Sequence, residues 1–298
     1  MVGYLFAGQG SQNTGMGKDL YAAFPQAKAV FDKADEVLGF PLSALCFEGP
    51  QEELTKTNNC QPAIVTMSIA CWEAYRSRHP EIGGYMAGLS LGEYSALVAC
   101  GALKFEDAVY LVRRRGEFME EAALKSPGKM LSVIGLELAK VREICAFSNT
   151  EVANINCPGQ VVISGSPENI ENAQKISKEK GAKLAVILDV SGAFHSSFMQ
   201  EAGQKLAVEL EKTKISQPEF PVVSNCNAKV ALNPQEIKEN LVKQVAQSVL
   251  WEDSMRLMLS EGIRSFVEFG SGKVLKGLMR RIDSSAQVVN VEKKADIA

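Results

Sequence analysis

The nucleophilic chemistry open to this 298-residue chain is bounded by one serine in a G-x-S-x-G pattern and by only two histidines. The serine is Ser90, in Gly88-Leu89-Ser90-Leu91-Gly92. A Gly-Gly pair (Gly83, Gly84) releases a short apolar run that ends at Ser90, and a helical pattern follows from Tyr94 to Cys100, with Gly101 placed to stop it. A serine at such a strand-to-helix corner projects its hydroxyl from a tight turn, and the helix N-terminus offers free N–H groups to an oxyanion. His195, in Gly192-Ala193-Phe194-His195-Ser196, is flanked by small residues in a turn and is the candidate base. The other histidine, His79, lies in the polar connector Arg76-Ser77-Arg78-His79-Pro80 and reads as exposed surface.

Arg115 is the third residue with chemical potential. Over Glu106 to Ala123, Ala108, Leu111, Val112, Met119 and Ala122 fall on one helical stripe. Arg115 falls on that stripe too, whereas Arg113 points away and Arg114 sits near its edge. A guanidinium on an apolar face needs an anion. Periodicity leaves two readings open: an internal carboxylate in a structural salt bridge, or an anionic ligand. Gly8-Gln9-Gly10-Ser11-Gln12 could approach a ligand closely or be a plain turn. The late Gly270-Ser271-Gly272-Lys273-Val274 fails as a phosphate loop, because Val267 stands where the leading glycine belongs and Val274 replaces the Ser/Thr.

The elements that must position these residues read as an α/β chain. Val2 to Ala7 is a buried first strand, and Pro25 opens a helix that Gly39 closes. Pro62 is expected to open a further, nearly all-apolar helix, Ala63 to Tyr75. Between 128 and 189 the pattern changes: strands at Met130–Ile134, Glu151–Ile155, Gln160–Ser164 and Lys183–Leu188 alternate with helices at Glu137–Phe147 and after the Ser166-Pro167 start. That β-α-β-β-α-β order is ferredoxin-like. The expected organisation is a large α/β catalytic subdomain with a parallel sheet core (residues 1–127 and 190–298) and an inserted small subdomain (128–189).

A hydrophobic content of 46% with 22% charged residues is ordinary for a globular protein, and the net charge of −3 gives no reason to expect nucleic acid. No apolar run reaches membrane-spanning length, and the N-terminus lacks a signal-peptide pattern. Seven scattered cysteines without C-x-x-C read as reduced, mostly buried thiols of a cytoplasmic protein. No metal site is expected.

Together, the GQGSQ loop, the GLSLGEYSAL corner around Ser90, the RRRGEFM helix, Asn154 to Gly165, the GAFHSSFM turn and the VEFGSGKVL end resemble the malonyl-CoA:acyl carrier protein transacylases. They also resemble the related acyltransferase domains of polyketide synthases. The resemblance implies a hydrolase-like large subdomain and ping-pong malonyl transfer through a Ser90 ester, with His195 as base and then acid. It further implies an oxyanion hole from the N–H groups of Gln9 and Leu91, a malonyl carboxylate clamped by Arg115, and Phe194 filling the space an α-methyl would need. A main-chain carbonyl near Leu250 would orient His195. Ala7, Leu89 and Leu250 depart from the family's usual Pro, His and polar residue. The implied partners are malonyl-CoA and acyl carrier protein, with no cofactor of its own and a monomeric state. Lys273, Lys276, Arg280 and Arg281 are the densest late basic cluster for docking an acidic carrier, with a solvated helix face as the alternative.

Two other classes compete. A serine hydrolase of the α/β-hydrolase fold would place an acid between Ser and a late His, but here about a hundred residues follow His195. A carrier-binding module without chemistry would not need Ser90, His195 and Arg115 together.

Overall fold

The computed structural model describes residues 1–297. One sheet holds β1 (Val2–Phe6), β2 (Gly84–Gly88), β7 (Val222–Val223), β8 (Val230–Ala231), β9 (Ser265–Phe269) and β10 (Gln287–Val291). The other holds β3 (Lys129–Ile134), β4 (Glu151–Cys157), β5 (Gln160–Gly165) and β6 (Leu184–Ile187). The first sheet runs β10-β9-β1-β2-β7-β8 and is parallel except at its β7–β8 edge. Its central strands β1 and β9 are largely buried, as a sheet covered by helices on both faces requires, while the edge strand β10 exposes Gln287 and Val289. Strand order reverses at β1, so the crevice beyond its carboxyl end is where an open α/β sheet binds ligands. Because Phe6 pairs in register with Gly88, the loop after β1 and the corner after β2 leave the sheet side by side.

The second sheet is antiparallel with order β4-β5-β3-β6. Numbered from its own first strand this is 2-3-1-4, the ferredoxin-like order read from its far edge. It has its own core of Leu131, Val133, Ile144, Ile163 and Ile170. The two sheets are stitched where β4 meets the segment before Trp251: Ile155 N–H donates to the Val249 carbonyl and Val249 N–H to the Ala153 carbonyl.

The sequence punctuation holds at most ends. Helix Pro25–Leu38 closes on Gly39 in the left-handed region (φ 71°), and Ser166 caps helix Pro167–Glu179 by accepting from Asn169 N–H. The expectation that Pro62 opens its helix is corrected: the helix runs Thr57–Arg76 with Pro62 inside. Pro62 cannot donate to the Asn58 carbonyl. Arg113 Nη1 takes that carbonyl instead at 3.0 Å, so the bond the proline removes is replaced from the neighbouring helix, Phe105–Lys125.

Candidate active site

Ser90 occupies the left-handed region (φ 51°), which costs a non-glycine residue energy and must be held in place. The glycines on either side make the corner possible. A Cβ on Gly88 would lie 1.9 Å from the Gly92 carbonyl carbon, and one on Gly92 would lie 2.2 Å from the Phe6 carbonyl oxygen. A side chain on Gly8 would likewise strike the Leu89 carbonyl oxygen at 2.4 Å. The loop after β1, the corner and the first turn of helix Gly92–Ala99 therefore touch backbone to backbone. Asn225 fastens the corner: its Oδ1 accepts Ser90 N–H at 2.6 Å, and its Nδ2 donates to the Gly88 carbonyl at 2.8 Å. Leu91 N–H, at that helix's start, and Gln9 N–H, in the adjacent loop, donate to no group among the described residues.

His195 reaches Ser90 from the turn after the second sheet: Nε2 lies 2.8 Å from Ser90 Oγ. Its own backbone is also left-handed (φ 55°). Neighbours on both sides pin the turn. Ser164 of β5 donates to the Phe194 carbonyl at 2.7 Å, and Glu151 of β4 accepts from Ser197 N–H at 3.0 Å and from its hydroxyl. His195 Nδ1 is 2.7 Å from a main-chain carbonyl, which can only accept, so Nδ1 carries the proton and Nε2 presents its lone pair to the serine.

That carbonyl belongs to Gln244, which corrects the sequence expectation of Leu250. Gln244 sits in the last turn of helix Pro234–Ala246, where carbonyls have no partner within the helix. The Leu250 carbonyl is already committed, accepting from the N–H and the hydroxyl of Ser254 at the start of helix Trp251–Ser260. Burial, and then the nearby Arg115 charge, push the His195 pKa down to about 4, against a smaller upward pull from the Gln244 carbonyl. The ring is thus a neutral acceptor at physiological pH.

Arg115 is 1% exposed, on the buried stripe its spacing predicts. Its Nη1 donates to Gln61 Oε1 at 2.9 Å, and its Nη2 donates to Gln244 Oε1 at 3.2 Å and Ser90 Oγ at 3.3 Å. Tyr94 offers its ring face 5.8 Å away. No carboxylate pairs with it among the described residues, which removes the structural salt bridge left open above. Arg113 does pair, with Glu117 at 2.9 Å. The guanidinium is a buried cation held by neutral oxygens, with one edge turned to the nucleophile.

These groups floor a cleft of about 590 Å³ between the two sheets. Gln9, Met119, Met130, Val162, Phe194 and Asn156 line its walls, and Val274, 52% exposed, stands at the rim. Val274 begins helix Val274–Ile282, which is preceded by exposed Lys273 and carries exposed Lys276, Arg280 and Arg281. None of these four forms an ion pair among the described residues. No group of three or more His, Cys, Asp or Glu among the described residues could hold a metal, and no helix is long and apolar enough to cross a membrane. Gln61, Asn225, Gln244 and Glu93 were not picked out from the sequence. The available signal was a polar residue on an otherwise buried face, as Gln244 is beside Ile237, Leu241 and Val245.

The acyl transferase domain family matches residues 3–293. A malonyl CoA-acyl carrier protein transacylase of Bacillus subtilis is 45% identical over 297 residues, covering 97% of this chain and 93% of the relative. The crystal structure of an acyl carrier protein S-malonyltransferase from Vibrio cholerae superposes with a TM-score of 0.96 at 37% identity, covering 99% of this chain and 98% of that one. A malonyl-transacylase solved in complex with a type II PKS acyl-carrier protein superposes with a TM-score of 0.97 at 39% identity, covering 99% and 97%.

Proposed function

The chain belongs to the acyl transferase domain family, and from that membership we propose that it moves malonyl from malonyl-CoA to the phosphopantetheine thiol of an acyl carrier protein. The observation that carries the substrate choice is Arg115, a buried guanidinium without a carboxylate partner, turned toward Ser90 Oγ. A malonyl group bound there supplies the missing anion and sets its thioester carbonyl at the nucleophile. Acetyl has no such group.

The reaction takes two matching steps. Ser90 Oγ attacks the thioester carbonyl while its proton passes to His195 Nε2. The oxyanion is met by the N–H groups of Gln9 and Leu91, where one well-placed donor is worth about 3 kcal/mol. The tetrahedral species collapses by breaking the C–S bond, and the departing CoA sulfur takes the proton from Nε2. The carrier thiol then enters, gives its proton to Nε2 and attacks the Ser90 ester; the new tetrahedral species collapses by breaking the C–O bond, and Ser90 Oγ takes the proton back from Nε2. The depressed His195 pKa suits this exchange, since an imidazolium beside Arg115 gives up its proton readily to a thiolate. Phe194, 5% exposed on the cleft wall, leaves little room for an α-methyl on the acyl group.

The basic face of helix Val274–Ile282 at the cleft rim suits an acidic carrier protein. Fatty-acid synthesis is the pathway that the whole-chain resemblance to the malonyl-CoA:acyl carrier protein transacylases implies, and the Bacillus subtilis relative bearing that name is covered to 93% of its length. A second reading, supply of a polyketide synthase, is favoured by the superposition on a transacylase seated with a type II PKS carrier. One chain carries every group named here, so the reading needs no second subunit. Its cysteines, all unpaired and six of seven buried, suit the cytoplasm. The test is intact mass spectrometry after incubation with malonyl-CoA. A malonyl adduct on the wild type, absent from Ser90→Ala and discharged by carrier protein, is the expected result. Rapid release of free malonate would indicate a hydrolase, and no adduct a binding module.

A further inference from the structure

One buried charged group beside Ser90 has no part in the steps above. Glu93 lies on the first turn of helix Gly92–Ala99, 3% exposed. Its Oε2 accepts two hydrogen bonds: from Asn225 N–H at 3.1 Å and from Gln244 Nε2 at 2.6 Å. Gln244 Nε2 also donates to the Ser90 carbonyl at 2.9 Å. Both protons of the amide are thereby committed, and Oε1 is left to face Arg115 Nη2. A turned-over amide would set NH2 against the guanidinium, donor against donor, and would set its oxygen against the Glu93 carboxylate and the Ser90 carbonyl, acceptor against acceptor. A carboxylate can only accept, so Glu93, with the shortest bond to this amide, holds it in the direction that the Ser90 carbonyl and the Arg115 guanidinium also require. We propose that Glu93 is a positioning residue for malonyl transfer, fixing the Gln244 amide so that Oε1 holds Arg115 at Ser90.

This inference rests on Arg115 receiving the malonyl carboxylate. An acidic residue in the first turn of a helix has a bland alternative, stabilising the helix N-terminus. The two roles separate on substrate. If Glu93 acts through Gln244 and Arg115, Glu93→Gln lets the paired amides settle in either direction and loosens the guanidinium. The kcat/KM for malonyl-CoA then falls roughly ten- to a hundredfold, the range of one lost charge-assisted hydrogen bond, while that for acetyl-CoA changes little. In a Gln244→Met background, Glu93→Gln should add no further loss of malonyl preference, since the connection is already cut. Equal losses on both substrates, or additive losses in the double variant, overturn the proposal in favour of helix stabilisation. Should Glu93→Gln not fold, Gln244→Met decides alone: an unchanged malonyl-to-acetyl ratio overturns the positioning role. Failure of the malonyl reading itself would show separately, as a wild type that forms no malonyl adduct.

Discussion

The charge on Arg115 acts on two residues at once, and that duality gives two measurements. Toward substrate it is the only guanidinium lining the cleft among the described residues, so Arg115→Ala forces malonyl to bury an unpaired carboxylate. We expect kcat/KM for malonyl-CoA to fall by several kcal/mol in activation terms, about a thousandfold, with acetyl-CoA spared. Arg115→Lys should recover only part, because an ammonium cannot make two parallel bonds. Parallel losses on both substrates would refute the clamp. Toward His195 the same charge is the second cause, after burial, of a pKa near 4. The acid limb of kcat/KM for acetyl-CoA should therefore fall near pH 4 in the wild type rather than near the usual 6.5. In Arg115→Ala it should move upward only part of the way, since burial remains. A limb that stays put would mean Arg115 does not reach the ring electrostatically. The sign carries to stability: a His pKa lowered by folding favours the folded state above pH 6.5, and that contribution, on the order of 3 kcal/mol, is lost as pH drops toward 4.

At the scale of elements, the glycine corner is a place where backbone occupies the volume a side chain would need. Gly88→Ala puts a Cβ 1.9 Å from the Gly92 carbonyl carbon, and that neighbour cannot swing aside. Loss of roughly 1–3 kcal/mol, or failure to fold, is expected from thermal unfolding. Gly277, in the exposed helix Val274–Ile282, meets nothing within 4 Å, so Gly277→Ala should add about 0.5–1 kcal/mol. The opposite outcome for either variant would mean that local packing is not what decides.

Legibility of the sequence follows the same physics. Ser90, His195 and Arg115 could be read because each combines a reactive side chain with a local pattern: a glycine frame, scarcity, and a helical stripe. The carbonyl that orients His195 could not, because every residue has one and only the helix end at Gln244 leaves it free. Pro62 misled because its missing donor is compensated by Arg113, which lies 51 positions later in the chain. The two-residue strands β7 and β8 are too short to show alternation, yet β7 is followed directly by Ser224 and Asn225, which fastens the Ser90 corner.

On the scale of the whole molecule, docking and chemistry are separable. Lys273, Lys276, Arg280 and Arg281 lie on and just before the helix that starts at the rim with Val274, and none of them lines the cleft, so reversing Lys276 and Arg280 should raise the KM for carrier protein several-fold and flatten its salt dependence. The KM for malonyl-CoA should not move. An unchanged carrier KM would leave this face as solvated surface only.

The chain leaves the large sheet for the small one, and comes back, at nearly a single point: a Cβ on Gly128 would lie 2.5 Å from that of Ala193. Such a joint resembles a socket, in which the inserted segment is seated both at this buried point and where β4 bonds to Val249 of the host. Exchanging that segment between related proteins would carry a condition. Ser164 and Glu151, on the removable piece, hold the turn that presents His195, while Gln244, on the host, holds the ring itself. A chimera that trades the small sheet between acyltransferases of different acyl preference would keep its activity only if the donor brings a hydroxyl at 164 and a carboxylate at 151. Recombination within the family is in that sense a two-key lock, with one key on each side of the joint.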